Sequence, residues 1–542
     1  MHARRRSRRP LILAAVVTAA LTLGACASSG APGDSDAGAT GGELVWAIAG
    51  ANLSAAHMDP QTSQLDSAAS VQRGVLDSLV FQNADGTFAP WLASAWSISD
   101  DGLEYTFTLR DDVVFHDGTT FDADAVKANL DRIANPATAS AQAASMLGAD
   151  YYVGTEVVDP TTVIVSFTQP NAPFLQAAST AYLGMYSKAT LDDNASKLKT
   201  GGPGITVGSG PLVMTGYVPD QEIVYERNAD YAWGPNGATA PAFDTLRVAI
   251  VPEPAVRVGM LASGEAQLAS DITPSGVSTL DTSIKVDAKS VPGLPYSLFL
   301  NEAYGVFGDP LVREAFSRAI DIDTAVETIY FGQYQRAWSI LGPATPGYDK
   351  SLEGTWKFDP ATANALLDQA GWTQRDSENY RVKNGERLSA RWIAWTPIAD
   401  DAAALANAMQ ADLREVGFEI VRETLEPGAY NEQYAPKTFD LTDWNFAGVD
   451  PDMLRAHLHT EGFQNASQVS DPALDTLLDD AVAESDPAAR AAIYREVQQW
   501  NATHNAIVPL FVPSVITAVA PEVQGLTYDL YGRPLYFGVS LG

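Results

Sequence analysis

Apolar and polar residues follow two rhythms along this chain. Leu103, Tyr105, Phe107 and Leu109 are interleaved with Glu104, Thr106, Thr108 and Arg110, the alternation of a strand with one buried face. Helix signals are equally clear. Asp359-Pro360-Ala361, Asp471-Pro472-Ala473 and Asp486-Pro487-Ala488 each set a capping carboxylate before a proline whose fixed φ suits the first helical position. The first of these helices is expected to stop at Gly371, where a left-handed residue can follow the last turn. A further helix, Ala402 to Val416, is predicted to end at Gly417 and to lead into a short strand, Phe418-Glu419-Ile420-Val421. Strand-like and helix-like segments keep alternating with no fixed-period repeat, so the fold class is mixed α/β.

The N-terminus follows another pattern. Five arginines precede the uncharged run Leu11 to Leu23, and small residues then lead to Cys26, the order of a secretory signal. Those thirteen apolar or small residues are too few to span a bilayer, so cleavage is expected rather than a membrane span. Leu23-Gly24-Ala25-Cys26 resembles the bacterial lipobox, which makes Cys26 a candidate for lipidation and for the mature N-terminus. Several acyl chains on one residue anchor stably where one would not. Ser7-Arg8-Arg9-Pro10-Leu11 reads either as a twin-arginine export motif or as an ordinary basic leader. Residues 27–42, ASSGAPGDSDAGATGG, hold no large apolar side chain and read as a tether.

From Glu43 the composition is globular for about 500 residues, more than one core usually supports, so two or more domains are expected. No later stretch is long and apolar enough to cross a membrane, and contact with the membrane is expected through the lipid alone. Removing the leader leaves 29 basic against 66 acidic residues, which argues against nucleic acid or anionic lipid as a partner. Such a balance suits a solvated acidic surface and could also favour cationic ligands. Cys26 is the only cysteine, so an internal disulfide and a cysteine-rich metal site are excluded.

The segment from Phe88 to Ile133 reads FAPWLASAWSISDDGLEYTFTLRDDVVFHDGTTFDADAVKANLDRI. It resembles the signature region of the family 5 extracellular solute-binding proteins, which bind dipeptides, oligopeptides and nickel. Met58-Asp59-Pro60, Gly208-Ser209-Gly210-Pro211, Arg227-Asn228-Ala229-Asp230-Tyr231, Asp309 to Ala315, Ala363 to Trp372, and Trp444 with Asp450-Pro451 extend the resemblance in order. What it implies is a bilobed, type II periplasmic-binding-protein-like fold with an extra inserted domain and a ligand cleft between lobes. Domain I is expected over 43–86, 206–293 and 513–542, domain II over 87–205 and domain III over 294–512. Residues 1–25 would be the signal peptide and 26–42 the lipidated cysteine and tether. The lobes would be joined by crossings near Val291 to Asn301 and Ile507 to Val512.

The function implied is that of a monomeric substrate-binding lipoprotein feeding an ABC permease and ATPase complex, with a peptide as the first expected cargo and no cofactor. Cargo could also be a nickel chelate, an opine or a sugar. In peptide-binding relatives an aspartate just after the tryptophan matched by Trp444 holds the ligand's ammonium group, a charge-assisted contact. Counting back from Asp450-Pro451 puts Ala447 at that position, so Asp443 or Asp450 takes over the contact or the ligand lacks a free amino terminus. Trp444 is the first candidate cleft residue, with Asn445 and Phe446 beside it; core packing is its other reading. Trp395, Tyr296 and Asp450 complete the candidate ligand-binding set.

His116 lies in the Phe-His-Asp-Gly turn and is assigned a structural role. His457 and His459, two apart, could share a side only in extended chain, and the six histidines offer no dedicated metal cage. An exported hydrolase is the competing class, but no Gly-x-Ser-x-Gly turn, His-Glu-x-x-His pair or phosphate loop occurs. A signalling or adhesion lipoprotein of the same fold is not separated from an importer component by the sequence.

Overall fold

Five of the six residues in Glu43–Ile48 are buried, the continuous apolar run of a strand covered on both faces. Leu44, Trp46 and Ile48 enter one core while Val45 and Ala47 enter another. A computed structural model describes residues 41–50, 53, 57–63, 66–396 and 398–542. Cys26, the leader and most of the tether lie outside the described residues. All strands named below belong to one compact unit, Gly38–Gly542.

Glu43–Ile48 sits inside a seven-stranded sheet ordered Lys285–Ser290, Ser514–Val519, Leu268–Ala269, Glu43–Ile48, Thr245–Ile250, Glu222–Arg227 and Leu212–Val218. A six-stranded sheet runs Gln335–Arg336, Ile507–Val512, Gly293–Leu300, Leu441–Ala447, Ser389–Trp395 and Glu419–Leu425. It too is covered on both sides, with Leu298 and Leu300 in one core and Phe299 and Leu294 in the other. A four-stranded antiparallel sheet, Ala93–Ile98, Glu104–Leu109, Thr162–Phe167 and Tyr152–Asp159, has its own core built on Tyr105, Phe107 and Leu109. Tyr105, Phe107 and Leu109 point inward as the alternation predicts, whereas Leu103 precedes the strand and is only half-buried.

The three Asp-Pro-Ala helices form over Pro360–Gln369, Pro472–Ala483 and Pro487–His504. The carboxylates accept from Thr362 N at 2.9 Å, Ala473 N at 2.9 Å and Ala489 N at 2.8 Å. Gly371 follows the first helix with φ +88°, as a left-handed stop requires. The later helix is Asp400–Glu415, starting two residues earlier than predicted because Asp400 and Asp401 suit the positive end of its dipole. The strand after Gly417 is Glu419–Leu425, longer than the predicted four residues because it pairs in parallel with the whole of Ser389–Trp395.

The chain crosses between the two large sheets twice, over very short distances. Only Val291 and Pro292 separate Lys285–Ser290 from Gly293–Leu300, and only Pro513 separates Ile507–Val512 from Ser514–Val519. Val291 N–H donates to Pro513 O at 2.9 Å, tying the crossings together. Gly293 begins the first strand beyond the crossing with φ +121°, and a Cβ there would collide with Phe446 O and Gly448 N. Gly293→Ala is therefore expected to cost about 2 kcal/mol and to lower the melting temperature. An unchanged melting temperature would show that the crossing relaxes freely around a side chain.

The Gly208-Ser209-Gly210 turn has a close-packing explanation. A Cβ on Gly208 or Gly210 would overlap the carbonyls of Val75 and Gly74. His116 braces the same loop: its N–H donates to Gly208 O at 2.9 Å and its Nε2 lies 2.9 Å from Gly210 O. Burial pushes its imidazole pKa down, which fits a neutral ring donating that bond and the structural role expected of it.

Candidate functional site

A cavity of about 880 Å³ opens between two distant parts of the chain. One wall comes from 141–151 and 171–177, which pack with the core of the four-stranded sheet; the other comes from 446–464, beyond the end of strand Leu441–Ala447. Tyr531, from the C-terminal segment, reaches the same space. Strand Leu441–Ala447 runs parallel to Ser389–Trp395, which runs parallel to Glu419–Leu425, so the carboxyl ends of three parallel strands lie on one edge. In open α/β sheets that edge is where ligands bind.

Alternation along Leu441–Ala447 divides the sequence-predicted residues. Thr442, Trp444 and Phe446 share one face and pack into the core that holds Phe299 and Leu458; Asp443 takes the other. Trp444 stacks on Phe299 with centroids 3.9 Å apart and meets Tyr434 edge-on at 5.8 Å. Its indole Nε1 is buried with no hydrogen-bond partner among the described residues, as is Nε2 of the neighbouring His457 ring. His457 Nδ1 lies 2.9 Å from Met453 O, and burial drives the ring pKa down to about 4, so it is neutral with an open acceptor.

Phe446 and Asp450 line the cavity, whereas Trp444, Asn445, Trp395 and Tyr296 do not. Asn445 is exposed. Trp395 ends its strand 58 % exposed, with Tyr430 at 5.9 Å. Tyr296 stacks on Phe511 at 4.9 Å and donates its hydroxyl to Asp443. Asp443 also accepts from Trp392 Nε1 at 2.8 Å, and burial raises its pKa. That carboxylate is sealed inside the sheet, away from any cavity-bound ammonium group.

Asp450 is committed as well, because Arg490 grips it through two bonds of 2.7 Å each. Two residues on, Asp452 takes Arg455 Nε at 3.3 Å and the Tyr494 hydroxyl at 3.2 Å. Desolvation raises the Asp452 pKa, and both arginines are held firmly protonated by their carboxylates. Arg455 extends the ladder to Asp479 at 2.6 Å and to the Leu478 carbonyl. The result is a rigid wall of alternating charge.

Sequence reasoning missed the opposite wall altogether. Asp150, Tyr151, Asn171 and Gln176 sit in a region with no catalytic or binding motif, and only folding brings them to 446–464. Phe463 was missed too, although an aromatic in the polar run Thr460 to Asn465 is a visible signal; it is 73 % exposed on the cavity rim. His457 and His459 diverge because helix Met453–Leu458 ends between them: His457 turns inward, while His459 Nε2 lies 3.7 Å from Asp479. Among the described residues no group of three His, Cys, Asp or Glu side chains is placed to hold a metal ion.

Residues 87–463 match the model of the bacterial extracellular solute-binding proteins, family 5 Middle. The chain is 29% identical over 488 residues to a probable di/tripeptide-binding protein 5 of Pseudomonas aeruginosa, covering 85% of this chain and 88% of that one. It is 27% identical over 475 residues to the nickel-binding periplasmic protein of Escherichia coli, covering 84% and 87%. Its fold is similar to NikA from Brucella suis in complex with Fe(III)-EDTA, at TM-score 0.80 and 26% identity, covering 92% of this chain and 100% of that one.

Proposed function

Because the chain belongs to the bacterial extracellular solute-binding proteins of family 5, we propose that it captures di- to oligopeptides by lobe closure and delivers them to the permease of an ABC importer. The family is a non-catalytic transport component with a bilobed α/β fold, and its members bind solutes outside the cell. The observation that carries the reading is the 880 Å³ cavity with walls from two separate parts of the chain. A ligand touching both walls binds the closed state better than the open one, and that difference alone drives closure. The two short crossings, bonded at Val291 and Pro513, are suited to act as the hinge.

The peptide reading is supported by likeness to a probable di/tripeptide-binding protein. Within it, domain I spans 43–86, 206–293 and 513–542, domain II 87–205 and domain III 294–512, a division supported by each holding one of the three larger sheets apart from Gly293. The mature protein is a monomer lipidated at Cys26, and Phe446, with Trp444 behind it and Trp395 exposed at its strand end, supplies aromatic contact. No helix among the described residues is long and apolar enough to cross a membrane. A metal chelate is the second reading, favoured by likeness to a nickel-binding protein and to a chelate complex. Without a protein cage, the metal would have to arrive wrapped in its own chelator.

Thermal stability measured against di- to oligopeptides, N-blocked peptides, sugars, opines and nickel chelates tests this. A ligand at a hundredfold excess over its Kd adds about 2.7 kcal/mol of stability. Shifts with peptides support the reading; shifts confined to chelates, opines or sugars withdraw the peptide and keep the importer.

A further inference from the structure

The cavity's charges and hydrogen-bonding groups are one-sided. Its wall carries the carboxylates of Asp150, Asp450, Asp452 and Glu461 but only one arginine or lysine among the described residues, Arg455. Arg455 is spent on Asp452, Asp479 and the Leu478 carbonyl. Arg490, behind the wall, is spent on Asp450 and on Ala481 O at 2.8 Å. Both guanidinium charges are thus already matched by carboxylates of the protein, which leaves no unpaired cation on the wall among the described residues to attract a ligand carboxylate.

Acceptors are left over instead. The carboxylates of Asp150 and Glu461, one from each wall, have no hydrogen-bond or ion-pair partner among the described residues. Gln464 lines the cavity with a buried Oε1 that accepts no hydrogen bond among the described residues. An orphaned buried acceptor costs free energy until an N–H reaches it. Phe446, Phe463, Tyr151 and Tyr531 also line the space, and their ring faces attract cations. The net charge of −32 biases long-range steering in the same direction.

We infer that the cleft selects basic solutes, in particular peptides carrying lysine or arginine side chains, and rejects acidic ones. This rests on the cavity being the solute site proposed above. A ligand ammonium or guanidinium group is shared between Asp150 and Glu461 across the closing gap, with Gln464 accepting a further N–H. Charge on both walls then makes closure itself charge-selective: a cation is bound by both lobes, and an anion is repelled by both.

Calorimetric titration of the protein with Ala-Lys-Ala, Ala-Leu-Ala, Ala-Glu-Ala and spermidine tests it. Ala-Lys-Ala is expected to bind about 30-fold more tightly than Ala-Glu-Ala, with the gap narrowing as salt is raised. Asp150→Asn and Glu461→Gln lie on exposed parts of the wall, away from the Arg490 ladder. Each is expected to shrink that preference by roughly 3- to 10-fold and to weaken Ala-Lys-Ala more than Ala-Leu-Ala. Equal binding of the three tripeptides overturns the inference and leaves peptide capture standing. Binding of spermidine but of no peptide overturns peptide capture and supports the charge selection. A preference that survives both substitutions unchanged, or no binding by any cation, overturns the inference.

Discussion

Arg490→Ala is expected to destabilise the protein by about 3–5 kcal/mol, the usual result of removing one partner of a buried, hydrogen-bonded ion pair. Arg490 makes two 2.7 Å bonds to Asp450, one to Ala481 O, and lies over the Tyr494 ring at 5.2 Å. Without it, Asp450 and Asp452 stand two residues apart in the same wall with only Arg455 to offset them. Arg490→Lys keeps the charge but loses the planar fork, so about half the loss is expected to remain. Because part of the penalty is the uncompensated carboxylate, Asp450→Asn added to Arg490→Ala should restore about 1–2 kcal/mol. Chemical denaturation of the four proteins measures all three figures. A loss below about 1 kcal/mol for Arg490→Ala would mean that solvent reaches the pair freely.

How much of this was readable in the sequence depended on the range of the forces involved. The Asp-Pro-Ala starts, the Gly371 stop and the strand around Phe107 are set by a few neighbouring residues, and the structure has them where predicted. Element ends drifted where a partner decided them. Glu419–Leu425 runs past Val421 because Ser389–Trp395 offers it seven paired positions, which no local pattern reveals. The resemblance extends to Gly208-Ser209-Gly210, and there it reflects packing, since Gly208 and Gly210 sit against the Val75 backbone.

The site was only half legible for a related reason. Phe446 and Asp450, put forward from the resemblance around Trp444 and Asp450-Pro451, line the cavity, whereas Trp444, read as either core or cleft, does not. Here it sits behind the cavity, stacked on Phe299. Asp443 and Asp450 both look free in a linear reading, yet the fold commits one to Tyr296 and Trp392 and the other to Arg490. The unpaired carboxylates at Asp150 and Glu461 become visible only when pairing is resolved in space.

Asp77 gives the second large effect, a fall in stability with rising pH. It is completely buried, accepting from Ser209 Oγ and Trp233 Nε1 at 3.0 Å each and from the Tyr231 hydroxyl at 3.4 Å. Those donors and the nearby Arg73 favour the carboxylate, but burial outweighs them and pushes its pKa up to about 7. Arg73 stays protonated over this range, its pKa lowered by burial only to about 10, but Asp529 shares its charge. Between the unfolded value near 4 and the folded value near 7, the native state holds a proton that the unfolded chain has released. Stability from this group is therefore fully present below about pH 4, drains away as pH rises, and is gone above about pH 7, a change of up to several kcal/mol. Asp77→Asn keeps the shape and an acceptor oxygen but cannot titrate, so the melting temperature of the wild type should fall relative to this variant between pH 4.5 and 8. A flat difference would mean that Asp77 is ionised throughout, with Arg73 and three donors outweighing desolvation.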